Sequence, residues 1–535
     1  MTTENANRQI ARAAGTIMAA FALSNLIGLV RQILISRAFG TDQAIDAFYA
    51  ASTYPDLIFS LVAGGALSSA FIPTFTGFLA KEDRTSAWKL ASSIINLILI
   101  LLTALSIVSA IFSTQIIRYI LAPDFSASQQ ALAASLLRVL LISPAIFGVS
   151  GLLMGILNAH QRFLLPALAP SMYWIGMIFG LIVLVPSMGI YGLAWGAVVG
   201  AFFHLAVQIP DLIRLPVRTY LFTLGLDNPA VREVGRLMGP RLLGVAVVQL
   251  NFVVNVIIAS GLSEGSLSAI KYAWQVMTMP EVVIAQAIAI AALPTFSAQA
   301  ALGNTDHMRS SLAATLRGVL FLSLPASLGL ILLRQPLISA LFQRGTFDAH
   351  STDLVAWALL WYAAGLLGHN VVEVLSRAFY ALHDTKTPVF VGAAAMTLNV
   401  ILSFAFAALF SRIGWMPHGG LALANSFATA LEGSTLFILM RGRLKGIEGK
   451  SVADGFLRAL GASLGMTIVL VIWMQAFGSL NRWIVALGGV ALGGVVYALV
   501  MWMLKVPEIK MLTVAVSNRL KRHVNATSSK SQSPQ

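Results

Sequence analysis

Cysteine is absent from all 535 residues, which excludes disulfides and thiolate metal sites and leaves redox chemistry silent about the compartment. Charge is scarce: Asp, Glu, Lys and Arg make up 10% of the chain, whereas a soluble domain carries roughly 25%. Catalytic signatures are missing too. The chain has no phosphate-cradling Gly–Lys–Ser/Thr loop and no His-Glu-x-x-His, and its eight histidines are scattered. An enzyme is therefore not expected, nor a cofactor or a metal. ATP hydrolysis by this chain is not the expected driving force, which leaves a coupling cation, the membrane potential or the substrate's own gradient. No removable signal peptide stands out, because the first apolar run, from about Ala13, continues well beyond the length of such a segment.

What the chain has in excess is apolar surface, at 58% hydrophobic residues. Apolar runs long enough to cross roughly 30 Å of hydrocarbon recur along nearly its whole length. They predict an all-α polytopic membrane protein with about fourteen transmembrane helices. The spans fall near 14–36, 47–79, 88–113, 129–157, 164–185, 188–212, 232–260, 266–300, 310–333, 351–381, 388–411, 419–440, 452–477 and 481–504. The net charge of +14 is distributed by topology. With the N-terminus inside, the outer loops hold only Arg37, Arg118, Arg334, Arg344, Arg412 and Arg482, while most other Lys and Arg fall on the inner side. The positive-inside rule then predicts that both termini are cytoplasmic. No nucleic-acid partner is expected, and the tail around Arg519, Lys521 and Arg522 suits anionic membrane lipids.

The chain also repeats itself. Ile72-Pro73-Thr74-Phe75 returns as Leu293-Pro294-Thr295-Phe296, displaced by 221, and Asn158-Ala159-His160-Gln161 returns around Ala381-Leu382-His383-Asp384, displaced by 222 to 223. Six spans separate equivalent points, an even number, so the repeats are parallel. This divides the chain into an N-lobe of helices 1–6 (1–222), a C-lobe of helices 7–12 (223–444), two extra helices 13 and 14 (445–505) and a basic cytoplasmic tail (506–535). Duplicated bundles that rock about a central cavity are the architecture of transporters. The junction 213–231 reads either as an amphipathic connector on the inner face or as an ordinary linker. Tyr54-Pro55-Asp56, Ser143-Pro144, Gly239-Pro240-Arg241 and Met279-Pro280-Glu281 are expected to interrupt helices.

Ionisable residues inside spans are the candidate functional groups, since each costs about 2.5–3.5 kcal/mol at mid-membrane on insertion scales. Helix 1 carries Arg31, Asp46 opens helix 2, helix 8 carries Lys271 and Glu281, and helix 12 carries Glu432. Glu373 and Arg377 on helix 10 are spaced i,i+4 and suit a structural or gating pair. Arg31 and Lys271 suit an anionic, phosphate-bearing substrate. Both lie near the outer boundary, so snorkelling to headgroups is the alternative.

These residues sit among longer motifs: Gly28-Leu29-Val30-Arg31; Phe39-Gly40 through Ile45-Asp46-Ala47-Phe48; Gly65-Ala66-Leu67-Ser68-Ser69-Ala70-Phe71-Ile72-Pro73; Arg344-Gly345-Thr346-Phe347; and Arg377-Ala378-Phe379-Tyr380-Ala381 with Asp384-Thr385-Lys386-Thr387-Pro388. In these motifs, over most of residues 10–440 and again at 445–505, the chain resembles the MurJ/MviN lipid II flippases of the multidrug/oligosaccharidyl-lipid/polysaccharide exporter superfamily. The resemblance implies two lobes around a cationic central cavity and a groove by helices 13 and 14 for a polyprenyl tail. It also implies translocation of a polyprenyl-pyrophosphate-linked glycan, lipid II, across the bacterial inner membrane by alternating access, in contact with cell-wall synthesis proteins. Several arginines of the family pattern are replaced here. One position falls on Asn25, another near Phe59-Ser60 and a third on Gln275, while the acidic residue after Arg31 is Gln32. Lys271 lies one turn outward of Gln275 on the same helix face, which suits a relocated cation. The implied binding set is Arg31 and Lys271 on the pyrophosphate, Asn25 and Gln275 hydrogen-bonding it or the sugars, and Asp46 orienting a cation or gating the outer side. An exporter of another lipid-linked oligosaccharide, an ion-coupled drug exporter and a transport-silent cell-wall scaffold are the other readings.

Overall fold

A computed structural model describes residues 3–61, 68–215 and 218–504. The basic tail and the motif residues Gly65, Ala66 and Leu67 lie outside the described residues. The described residues are mostly helical, and no strand occurs among them. Eleven of the described helices are long and apolar enough to cross a membrane. Helices also cover the ranges of the other three expected spans, at Thr3–Phe39, at Gln43–Phe59 with Ser68–Ala80, and at Pro229–Ser260. Within the last two ranges only the shorter apolar pieces Phe71–Ala80 and Gln249–Ser260 stand out, so the expected count of fourteen is not fixed by length and apolarity.

The helix Arg84–Ile111 shows how lipid inverts the usual distribution of polarity. Its Ser93 and Ser109 are buried, at 0% and 2% exposure, while Ile107 and Ile111 are 55% and 67% exposed. Hydrocarbon offers no partner for a hydroxyl and no penalty for an isoleucine, so polar groups turn inward and bond there. Tyr54 and Ser109 share a hydrogen bond of 3.1 Å.

Two compact units partition the chain. One comprises residues up to Gln275 with Leu341–Ala358 and Met396–Ala424; the other comprises Val276–Ala340, Leu359–Ala395 and the residues from Asn425 on. In the first, the hairpin of Leu164–Phe179 and Ile190–Ala206 packs backbone on backbone. A Cβ added at Gly176 would sit 2.2 Å from the Gly200 Cα, and one at Gly180 2.4 Å from the Gly196 Cα. This is small-residue packing at four-residue spacing on both helices. Gly196→Leu is expected to lower the melting temperature and the monodisperse yield sharply. Its cost exceeds the roughly 1–3 kcal/mol of ordinary overpacking, because backbone must move. Gly461→Leu, where an added Cβ meets nothing within 4 Å, should leave both unchanged; equal loss in the two variants would refute this account. In the second unit the core gathers around Phe296, Leu316, Val374, Phe379 and Met440.

The sequence repeat reappears as local geometry. Pro73 and Pro294 each lie inside a helix, Ser68–Ala80 and Ala287–Ala301, that ends in the same turn. Asp83 N–H donates to Phe78 O and Asn304 N–H to Gln299 O, while Glu82 and Gly303 adopt left-handed φ of 59° and 66°. Asp83 then caps the next helix by accepting from Ser86 N, as Asn304 does from His307 N. The second pair of turns is related by 222: Arg162 N donates to Leu157 O and Asp384 N to Phe379 O, with left-handed φ at Gln161 and His383. The counterpart of His383 is therefore Gln161. His160 corresponds to Leu382, one residue from the pairing of histidines that the sequence suggests.

Three expectations about interruptions change. Pro55, Pro240 and Pro280 lie inside continuous helices, and the last is followed by the π-helical turn Val282–Gln286, which accommodates the displaced carbonyls. A break does occur at Leu141 and Ile142, where Pro144 starts the helix Ser143–Ala159. The junction after the short helix Ile209–Ile213 is not an amphipathic helix. Residues 218–225 run without helical structure along Arg84–Ile111, where Asn96 Nδ2 donates to Leu221 O at 3.0 Å and Thr223 O at 2.9 Å.

Candidate functional site

The first unit encloses a cavity of about 200 Å³. Helix Thr3–Phe39 contributes Arg31, Gln43–Phe59 contributes Tyr49 and Asp56, Leu164–Phe179 contributes Trp174, and Ser266–Glu281 contributes Lys271. Arg31 is held by a set of weak neutral contacts. Its guanidinium lies 4.1 Å from the centroid of the Trp174 ring, a cation–π distance. Nη2 donates to Gln32 Oε1 at 2.8 Å, and Nη1 approaches Met177 Sδ at 3.8 Å. Its buried Nε has no hydrogen-bond partner among the described residues. Gln32 accepts from Arg31 and also donates from Nε2 to Tyr49 Oη at 2.9 Å. A carboxylate could only accept there, from the Tyr49 O–H.

Lys271 lines the same cavity. It interacts electrostatically with Asp56, yet neither makes a direct ion pair among the described residues. Three charged side chains thus face one small space without closing on each other. Asp56 escaped the sequence reading, which treated it only as part of a proline kink. Its signal was there: an acidic residue in an otherwise apolar span, on the helix next to Arg31.

Asn25 and Gln275 are not in the lining. Asn25 is exposed and Gln275 half-buried. Asp46 is not in the lining either. It is buried, at 3% exposure, and both carboxylate oxygens are committed to the start of the helix Ser266–Glu281. Oδ2 accepts from Gly265 N and Oδ1 from Ser268 N, each at 2.8 Å. A carboxylate there satisfies orphan amides and complements the helix dipole.

Asp46 belongs to a tight cluster at one end of this unit. Gly40 and Gly345 take φ of 56° and 64°, where only glycine is unstrained. A Cβ on Gly345 would meet Arg37 O at 2.3 Å, and one on Gly40 would meet Thr346 O at 2.7 Å. Thr346 N donates to Arg37 O at 3.1 Å, Tyr272 Oη to Gly40 O at 2.8 Å, and the hydroxyls of Thr41 and Ser351 lie 2.9 Å apart. The motifs Phe39-Gly40 and Arg344-Gly345-Thr346-Phe347 meet here, and their glycines permit the close approach.

The second unit carries two further features. Glu373 Oε1 accepts from Arg377 Nη2 at 2.6 Å, an i,i+4 pair with both side chains about three-quarters buried. An apolar groove of about 350 Å³ runs between Thr305–Phe342 and the last two described helices, Gly449–Phe477 and Arg482–Met503, lined by Leu333, Leu337, Met466, Leu470, Gly489 and Gly493. It fits a hydrocarbon chain.

Membrane-spanning helices with an internal repeat, a charged cavity in the first unit and an apolar groove in the second define a polytopic transporter of lipid-like or amphipathic cargo. Residues 35–522 match the family model for the lipid II flippase MurJ. The chain belongs to that family. It is 31% identical over 466 residues to the lipid II flippase MurJ of Burkholderia cenocepacia, covering 86% of this chain and 88% of that one. It is 29% identical over 495 residues to the probable lipid II flippase MurJ of Thermotoga maritima, covering 91% and 95%. A solved MurJ in an inward closed conformation superposes with a TM-score of 0.79 at 26% identity, over 91% of this chain and 98% of that one. An inward-facing multidrug transporter of the MATE family shares the fold, with a TM-score of 0.67 at 17% identity over 80% and 96%. The family is one of transporters, and the chain is a multi-pass inner-membrane protein.

Proposed function

We propose that this protein flips lipid II, the polyprenyl-diphosphate-linked peptidoglycan precursor, from the cytoplasmic to the outer leaflet by alternating access, with both termini in the cytoplasm. The observation that carries the reading is the cavity in which Lys271 joins Arg31. At about 200 Å³ it is smaller than the roughly 300–1,000 Å³ of a typical ligand pocket, so it serves as the diphosphate subsite of a larger substrate. Arg31 and Lys271 engage the phosphates, whose oxygens also suit the unpartnered Nε of Arg31. Asn25 and Gln275, outside that subsite, meet the sugars or peptide. The polyprenyl tail follows the groove beside the last two described helices.

The cluster of Asp46, Gly40, Thr41 and Gly345 is the closed outer gate in this reading. Arg37 and Arg344 are among the few cations assigned to outer loops, and they flank it. The substrate then enters from the cytoplasm, driven by the membrane potential or a coupling cation, and leaves where cell-wall synthesis proteins take it up. Complementation of a strain depleted of its own lipid II flippase is the test. Growth is the expected outcome, and failure of a well-expressed protein would reassign it to another lipid-linked oligosaccharide.

A further inference from the structure

The charges of the cavity do not suit a diphosphate unless one of them changes. Arg31 and Lys271 contribute two positive charges and Asp56 one negative charge to the lining. A diphosphate diester brings two negative charges, so the loaded site would hold a surplus anion at membrane depth. Uncompensated charge there costs several kcal/mol. Relief is available only from a group that can lose its own charge. The groups facing Asp56 are Arg31 on the first helix, Lys271, Tyr173 and, on its own helix, Tyr49. The cations are needed by the phosphates, and the phenols carry no charge to lose. Asp56 alone can restore neutrality, by taking up a proton.

The structure also shows why Asp56 is free to do so. Asp46, ten residues earlier, has both oxygens occupied by backbone amides. Asp56 accepts no hydrogen bond among the described residues, its surface is open to the cavity, and the positive charges acting on it are those of the two cations that the substrate would claim. When phosphates settle between Arg31 and Lys271, Asp56 loses its counter-charges and gains an anionic neighbour, and both changes favour the neutral acid.

We propose that Asp56 is a substrate-linked proton site: seating the diphosphate between Arg31 and Lys271 loads one proton from water onto an Asp56 carboxylate oxygen, and release of the substrate returns it. This rests on the diphosphate reading of the cavity. Protonation and binding then reinforce each other by the same factor, as linkage requires. Affinity is flat at low pH and falls by about tenfold per pH unit once Asp56 is ionised in the free protein.

The test uses the full chain in lipid nanodiscs and undecaprenyl-diphospho-N-acetylglucosamine, a diester whose phosphates do not titrate between pH 5.5 and 9. Calorimetry in buffers of different ionisation enthalpy counts the protons taken up. About one proton per ligand is expected for the wild type at the alkaline end, as linkage requires. Asp56→Asn and Asp56→Ser are both expected to show none, to lose the pH dependence, and to bind at least as tightly as wild type at pH 8.5. Wild-type binding without proton uptake would overturn the proposal and leave the diphosphate reading standing. So would uptake that persists in both variants. Weaker binding of both variants at every pH would make Asp56 a direct acceptor for the sugar hydroxyls and would likewise overturn it. Absence of wild-type binding at any pH would remove the diphosphate reading, and the proton site with it.

Discussion

Lys271→Ala is expected to abolish flipping while leaving the amount of folded protein unchanged. The side chain lines the cavity with Arg31 and makes no direct ion pair among the described residues. A charge-assisted hydrogen bond is worth roughly 1.5–3 kcal/mol, about ten- to 150-fold in affinity. The loss goes further, because even with Asp56 neutralised the two charges of the diphosphate would face Arg31 alone. Lys271→Arg should retain part of the activity, since it preserves the charge while changing reach and hydrogen-bond geometry. The readout is lipid II flipping in proteoliposomes at matched protein content. Wild-type rates for Lys271→Ala would show that the cavity lysine takes no part in transport and would remove the main support for a diphosphate subsite.

The second large effect comes from locking the cluster at Gly40 and Gly345. Because the chain has no cysteine, the pair Thr41→Cys with Ser351→Cys introduces the only thiols. The native hydroxyls lie 2.9 Å apart, near enough for a disulfide to form with small adjustments. Oxidation is expected to stop flipping almost completely, and reduction to restore it. Each single variant should be insensitive to oxidant, which separates locking from damage. A fully cross-linked protein that still flips at the wild-type rate would show that this end stays shut throughout the cycle, and alternating access through it would be wrong.

Composition and spacing made the helical membrane fold legible, because hydrocarbon imposes a local rule. Every span must be apolar over its own length, and each run of about 20 residues reports this without reference to any other. The repeat was legible for a similar reason. The turns around Glu82 and Gly303, and those around Gln161 and His383, are local motifs whose residues recur at a fixed offset. Gln32 illustrates a middle case, where the departure from the family pattern was visible but its bridge from Arg31 to Tyr49 was not.

Sequence alone determined that this chain spans a membrane with a duplicated helical bundle, and it picked out Arg31 and Lys271 as cations inside spans. Only the tertiary structure decided that they share a cavity with Asp56. Only the tertiary structure, too, turned Asp46 away from it to cap a helix more than two hundred residues later in the chain. Both carboxylates lie on one helix ten residues apart, and nothing in their immediate neighbours distinguishes a capping acid from a cavity acid. What separates them is the rotation of that helix and the identity of the segments packed against it, and these are set by long-range packing that one-dimensional patterning does not encode.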